Sequence, residues 1–266
     1  MTHPDKIAAV IREIAQVEIV PRFRMLAQED IREKKPGDFV TVADLAVERA
    51  LTERLRDAAP GSVVLGEEAA HEDPTRLALL GEAAPVWVID PVDGTANFAR
   101  GAPGFGVIVA RVERGTVVAG WIYDPLADMM AVAERGGGAW SGGIRLAVAA
   151  EAEPSALVGA AYGRSRAGPR ASKLLEDSRR IAGVRNLGCS ALEYIRVAEG
   201  AAHFSLHSRS LPWDHAAGML IVAEAGGVSR FLDGSAYDPR IADRAVLAAA
   251  SPTAWETVQS VVVALA

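Results

Sequence analysis

The sequence predicts a mixed α/β protein, with an α+β half over residues 1–150 and an α/β half over residues 151–266. Three observations carry this. Apolar residues recur every three or four positions near the N-terminus, the spacing of one helix face. Between Gly106 and Glu134, β-rich runs are separated by turn residues, as in an antiparallel meander. Beyond Glu151–Pro154, the best candidate boundary, short apolar strands alternate with helical segments, which suggests an α/β half packed on the first.

The elements follow in order. Ile7, Val10, Ile11, Ile14 and Val17 predict a helix from about Pro4 to Met25, ended or kinked at Pro21. Gln28 to Gly37 is charged and aperiodic, predicting a mobile surface loop. A second helix is expected from Thr41–Asp44 to Ala59, with Val47, Leu51 and Leu55 buried and Pro60-Gly61 as its stop. Ser62–Leu65 reads as a strand delivering Gly66-Glu67-Glu68, and residues 69–84 as helix and loop. The strand Val86–Ile89 runs into a turn at Asp90-Pro91-Val92-Asp93-Gly94-Thr95, then a helix. Gly106–Val112, Thr116–Tyr123 and Met129–Glu134 are strands, residues 136–143 a turn, and Ile144–Val148 a short strand. In the second half, Leu157–Ala161, Val184–Leu187, Ala202–Leu206 and Ala245–Ala249 read as strands. Pro169–Ala182, Ala191–Glu199, His215–Ala225 and Pro252–Leu265 read as helices.

Composition narrows the class. The chain has 266 residues, half of them hydrophobic and 23% charged, enough for a sizeable core and against general disorder. Net charge is −6 with no dense Lys/Arg cluster, which argues against nucleic acid or a membrane surface as main partner. Cys189 is the only cysteine, so neither an intrachain disulfide nor a cysteine-rich zinc site can form. The N-terminus lacks a signal-peptide pattern and no apolar run approaches a membrane span. A soluble, cytoplasmic protein is expected.

The chemistry concentrates in acids at element ends. Asp44 stands at a helix start, Glu67 and Glu68 follow a strand, Asp90 and Asp93 follow another, and Asp214 precedes a helix. Elements ending on one edge of a sandwich can bring such groups together. Oxygen ligands without a Cys or His pair favour Mg²⁺ or Mn²⁺ over zinc, and Gly94-Thr95 at a helix start offers N–H groups to an anion. Metal-assisted chemistry on a phosphate ester is the reading that joins these features. Each acid has a plainer reading as well. Asp214 suits an N-cap, Asp44 a capping box with Thr41, Asp90-Pro91 an ordinary turn, and Glu67 and Glu68 a solvated strand end.

Taken together, Gly66-Glu67-Glu68, Trp87-Val88-Ile89-Asp90-Pro91-Val92-Asp93-Gly94-Thr95-Ala96-Asn97-Phe98, Trp213-Asp214-His215-Ala216-Ala217-Gly218 and Glu224-Ala225-Gly226-Gly227 resemble the signatures of the inositol monophosphatase family. The resemblance spans nearly the whole chain. It implies a layered αβαβα sandwich, commonly a homodimer, and a Mg²⁺-dependent, lithium-sensitive phosphomonoesterase acting on a small phosphorylated metabolite. Two to three Mg²⁺ ions are implied, with Mn²⁺ a possible substitute. Glu67, Asp90 and the Val92 carbonyl would hold the first, and Asp90, Asp93 and Asp214 the second. A third would share Glu67. Asp44 with Thr95 would orient and deprotonate the attacking water, Glu68 would support from behind, and the Gly94 and Thr95 N–H groups would cradle the phosphate. Polyol or sugar phosphates are the first substrate class. Histidinol phosphate, fructose 1,6-bisphosphate and 3′-phosphoadenosine 5′-phosphate are the alternatives among relatives.

The pattern also departs from the family. Animal members carry a substrate-binding Glu where this chain has His207, which is read either as a specificity residue or as a surface loop residue. Ser190 could meet a substrate hydroxyl or cap the helix at Ala191. Cys189 reads as a packed small residue, His215 as support for Asp214, Arg164 and Arg209 as possible contacts to a second anion, and Lys34 and Lys35 as a solvated charge run. Two other classes compete. The five histidines do not fall in zinc-ligand spacing. A purely binding or regulatory role leaves the acids unexplained.

Overall fold

Helix and sheet layers alternate in the computed structural model, which describes residues 4–163 and 170–264. The first half runs α1 (Pro4–Glu18), β1 (Ile31–Lys35), β2 (Asp38–Thr41), α2 (Val42–Ala58), β3 (Val63–Gly66), α3 (Glu67–Glu72), β4 (Val86–Asp93) and α4 (Thr95–Ala99). A meander follows: β5 (Gly106–Glu113), β6 (Thr116–Asp124), β7 (Met129–Glu134), β8 (Gly138–Ser141) and β9 (Ile144–Arg145). The second half adds β10 (Val158–Ala161), α5 (Ala171–Asp177), β11 (Gly183–Val184), α6 (Ser190–Ala198), β12 (Phe204–His207), α7 (Pro212–Glu224), β13 (Val228–Phe231), β14 (Val246–Ala249) and α8 (Pro252–Ala264).

Among the described residues, β3 to β9 form a seven-stranded sheet in sequence order, parallel only between β3 and β4. The period-2 alternation of its strands sends side chains to two different cores. Trp87, Ile89, Val107, Val109 and Trp121 pack under α1 and α2. Val86, Val88, Ile108, Ala110 and Ile122 face α6 and α7 on the other side. The second sheet, ordered β11-β10-β12-β14-β13, turns Phe231, Val246 and Ala248 to those same helices. Its outer face, with Leu157, Phe204, Leu206 and Leu247, is covered by α5 and α8. The stack is therefore αβαβα, as the resemblance implied. Helix α7 is buried nearly all round because sheets lie on both sides of it.

Several expectations need correction. Helix α1 ends at Glu18 and a 3₁₀ turn, Val20–Arg22, takes over around Pro21. Val17 is 60% exposed and lies off the buried stripe of Ile7, Ile11 and Ile14. The segment expected as a surface loop instead forms a 3₁₀ turn and the β1–β2 hairpin, closed by Gly37 at φ +83°. That hairpin is paired by charge and backbone rather than by a hydrophobic face, so no alternation marks it. Strand β4 does not stop at Ile89 but continues to Asp93, and Glu67 opens α3 rather than a loop. Strands β8 and β13, both too short for a clear alternation, lay outside the predicted elements. Strands β9 and β11 and helix α5 are shorter than expected. The expected roles of Arg164, the Pro169 helix start and Leu265 lie outside the described residues.

Candidate active site

The parallel pairing of β3 with β4 sets Gly66 opposite Ile89, so the next residues, Glu67 at the start of α3 and Asp90 still within β4, stand side by side. Strand β4 then bulges. Asp90 pairs with Ile108 and Asp93 with Gly106, three steps on one strand against two on the other. In a regular strand residues three apart face opposite ways; the extra residue restores parity and turns both aspartates to one face. Pro91, which has no N–H to give a ladder, lies inside the bulge. Gly94 follows at φ +85°, and a Cβ there would stand 2.5 Å from the Gly104 carbonyl oxygen, so only glycine fits.

Asp44 is fully buried in the first turn of α2 and serves two purposes. Its Oδ2 accepts from the Thr41 N–H at 2.8 Å and the Thr41 hydroxyl at 2.5 Å, completing the capping box. Its Oδ1 faces the Thr95 hydroxyl at 3.1 Å, which also lies 2.8 Å from the Val92 carbonyl oxygen. The Val92 N–H donates to Asp90 Oδ1 at 3.1 Å. Asp93 Oδ2 accepts from the Ala191 N–H at 2.6 Å, with Cys189 Sγ at 3.1 Å and Ser190 Oγ at 3.2 Å beside it. Asp214 enters from α7, two residues after the Pro212 that starts the helix. It lies in the first turn and is not the N-cap, which is Leu211.

Glu67 and Asp214 each stand within hydrogen-bonding reach of Asp90. Asp90 is buried, whereas Asp214, Glu67 and Asp93 keep an open side. Burial, then mutual repulsion among Glu67, Asp93, Asp214 and Asp44, drives Asp90 well above the ordinary carboxylate range. Burial likewise raises Glu67, Asp93 and Asp214, and brings Asp44 up to about 7. Among the described residues, no three His, Cys, Asp or Glu side chains already stand as a ready ligand set. The acids instead lean on each other and on Lys34. Carboxylates crowded around one point, joined by the Val92 carbonyl oxygen, make an oxygen-only donor set that could hold a hard divalent cation. Among the described residues, Lys34 lies against these acids and Arg209 acts at longer range.

A family model for the inositol monophosphatase family matches residues 5–265. The chain belongs to the inositol monophosphatase family. An inositol-1-monophosphatase of Rhizobium meliloti is 36% identical over 205 residues, 76% of this chain and 75% of that protein. A Thermotoga maritima fructose-1,6-bisphosphatase/inositol-1-monophosphatase is 36% identical over 199 residues, 74% and 73% of the two chains. In three dimensions a Thermotoga maritima IMPase superposes with TM-score 0.82 at 27% identity, covering 98% of each chain. Family membership makes the chain a phosphoric monoester hydrolase.

Within this family frame, the geometry places each residue singled out from sequence. Asp44, Glu67, Glu68, Asp90, Val92, Asp93, Gly94, Thr95, Ser190 and Asp214 gather around the β3–β4 edge. The Gly94 N–H is turned toward the Asp93 carboxylate. Ser190 does not cap α6; its hydroxyl lies between Asp93 and the Asp214 carbonyl oxygen, 3.0 Å from the latter. His207 is no surface loop residue. It sits buried at the end of β12, its ring stacked on Tyr162 and Tyr194 and its Nε2 2.8 Å from Ser205 Oγ. Burial holds it neutral, down to about 3. His215 lies with Nε2 4.0 Å from Asp214 and Nδ1 2.9 Å from the Tyr194 hydroxyl.

Two site residues escaped the sequence. Lys34, expected to be solvated, has a side chain only 2% exposed, with its ammonium 3.1 Å from Glu67 and 2.9 Å from Glu68. Burial would lower its pKa, but the two glutamates outweigh that and keep it charged. Glu48, one turn after Asp44 on α2, accepts the Glu68 N–H at 2.8 Å and the Ala69 N–H at 2.9 Å. It thereby caps α3, the helix that Glu67 opens. Its signal was present: Asp44, Val47, Glu48 and Leu51 share one helical stripe.

Proposed function

We propose that this chain hydrolyses the monoester of a small polyol or sugar phosphate with Mg²⁺ as its cofactor, by direct attack of water. The observation that carries this reading is that Glu67, Asp93 and Asp214, from three separate element ends, all lie close enough to buried Asp90 to repel it, in a member of this family. Glu67, Asp90 and the Val92 carbonyl would hold one ion, and Asp90, Asp93 and Asp214 a second. A third would share Glu67 in the place the Lys34 ammonium approaches. Hard oxygen donors suit Mg²⁺, with Mn²⁺ as substitute. When bound, such ions neutralise the phosphate dianion, acidify a water and steady the leaving alkoxide.

The chain's own residues do the rest. Asp90 would be shared by the two ions, whose charge would then offset both the attacking and the leaving oxygen. Thr95, anchored by Asp44 and Val92, points its hydroxyl oxygen at the incoming water. Asp44 is the proton acceptor behind it: its free oxygen reaches Thr95 and its pKa near 7 suits general base work. The Thr95 N–H, at the start of α4, would meet a phosphate oxygen; the Gly94 N–H, expected from sequence to share that task, is instead taken by the Asp93 carboxylate. In-line displacement then depends on positioning and charge rather than on a covalent phosphoenzyme.

Inositol 1-phosphate, after the naming of the relatives, and sugar phosphates head the substrates; fructose 1,6-bisphosphate and histidinol phosphate follow. His207 sets the chain apart, because a neutral imidazole stands at a position where animal members carry a carboxylate. Phosphate release across this panel, with Mg²⁺ and with EDTA, tests the reading. Mg²⁺-dependent release from at least one polyol or sugar phosphate is expected. No release from any would overturn it, and a burst or a trapped phosphoryl-aspartate would overturn direct attack.

A further inference from the structure

Asp93 is held by donors that come from one place. The Ala191 N–H, the Ser190 hydroxyl and the Cys189 thiol all belong to the first turn of α6 or the residue before it. Whatever fixes that turn therefore fixes an acid of the proposed cation cage. The bend that leads into it, Leu187-Gly188, is gripped from two sides. On one side the Asn97 amide, from α4, donates to the Leu187 carbonyl at 2.9 Å. On the other, the Leu187 N–H donates to Glu193 Oε1 at 2.9 Å, and the Gly188 N–H donates to the Tyr162 hydroxyl oxygen at 2.5 Å. Tyr162 in turn donates its hydroxyl proton to the same Glu193 oxygen at 2.5 Å.

Glu193 is thus a carboxylate buried to 3% exposure, with one oxygen spent on the bend that positions Asp93 and on Tyr162, which holds the same bend. Its second oxygen faces Ser205 Oγ at 3.4 Å and His207 Nε2 at 3.7 Å. Burying a carboxylate is unfavourable unless it is well hydrogen-bonded, and charge-assisted bonds are the strong ones. A carboxyl group kept here at that cost serves to hold geometry.

We infer that Glu193 and Tyr162 form a clamp that positions Asp93 for cation binding. They are positioning residues, and the inference rests on the proposed metal-dependent reading of the site. Outer partners of metal ligands change affinity about tenfold or more when lost. Tyr162→Phe removes the acceptor for the Gly188 N–H and the donor to Glu193 while keeping the ring stacked on His207. Glu193→Gln keeps the shape and removes the charge.

The test is Mn²⁺ binding by titration calorimetry on the full chain and both single variants, together with Mg²⁺ activation curves. Each variant should bind Mn²⁺ about tenfold more weakly and need correspondingly more Mg²⁺, while kcat at saturating Mg²⁺ stays near the parent's. The double variant should fall short of the product of the two single effects, since both act through one bend. Should Glu193→Gln fail to fold, Tyr162→Phe alone decides. A lowered melting temperature with unchanged Mn²⁺ affinity overturns the clamp. A parent protein that binds no divalent cation overturns the site reading, and the clamp with it.

Discussion

The carbon that Gly66 lacks would stand 2.2 Å from the Glu48 carboxyl carbon. The contact is close because Glu48 reaches past Gly66 to take the Glu68 and Ala69 N–H groups. Glycine at the end of β3 is therefore the space through which α2 grips α3, and Glu67 lies between the two. Gly66→Ala would push Glu48 off both donors. A loss of roughly 2–4 kcal/mol is expected, read by urea unfolding, with a raised Mg²⁺ requirement. A variant as stable as the parent would show that Glu48 has room to move.

Asp44→Asn separates the cap from the base. The amide oxygen can still accept the Thr41 N–H, so α2 should start as before, whereas no carboxylate remains to take a proton by way of Thr95. The expected outcome is a kcat lower by roughly 10²–10⁴ with Mn²⁺ affinity within a few-fold of the parent's. Equal losses in both would assign Asp44 to binding instead.

Lys34 pairs with Glu67 and with buried Glu68, so on the proposed reading it would compete with a cation for Glu67. Lys34→Met should act in two directions. Half-activation should come at a severalfold lower Mg²⁺ concentration, because a competing charge is gone. The melting temperature in EDTA should fall, because an acid is left buried without its partner. An unchanged melting temperature would place Lys34 outside the site in solution.

The raised carboxylates give the metal-free protein a distinctive pH response. Asp44 and Glu193 titrate near 7 when folded, both chiefly through burial. A carboxylate whose folded pKa exceeds its unfolded value stabilises below the unfolded value, and that stability is lost as pH rises through the folded value. Buried His207 and His215 act the other way, since burial depresses both, but their gain is already half complete at the unfolded value of 6.5 and fades over about one further pH unit. Between pH of about 6.5 and 8 the loss from Asp44 and Glu193, joined by the raised Glu67, Asp90, Asp93 and Asp214, outweighs it. The melting temperature in EDTA should fall across that window, and saturating Mg²⁺ should flatten the fall and release protons on binding. A flat or rising curve in EDTA would contradict the assignment.

What the sequence made legible, and what it hid, follows from distance along the chain. Asp90, Asp93, Gly94 and Thr95 were readable because strand, bulge and glycine lie within six residues. Asp214 was readable from its Trp-Asp setting, though Pro212 moved the helix start ahead of it. Strand and helix alternation gave only a mixed α/β chain; the layer order came from the family likeness. Lys34 was not readable, because its burial depends on glutamates 33 and 34 positions away and its hairpin has no apolar face. His207 looked like part of a polar loop, since Ser208-Arg209-Ser210 follows it. Only the pairing of β12 with β14 places it inside the second sheet. Glu48 and Glu193 resemble ordinary helix-surface acids until the neighbouring backbone N–H groups are located.

On the proposed reading, Glu67, Asp90, Asp93 and Asp214 surround one divalent-cation site. Anomalous diffraction from crystals equilibrated with Mn²⁺ tests it most directly. Strong anomalous peaks are expected within ligand distance of Asp90, shared with Glu67 and the Val92 carbonyl on one side and with Asp93 and Asp214 on the other. Saturating Mn²⁺ with no peak among these four carboxylates would contradict it.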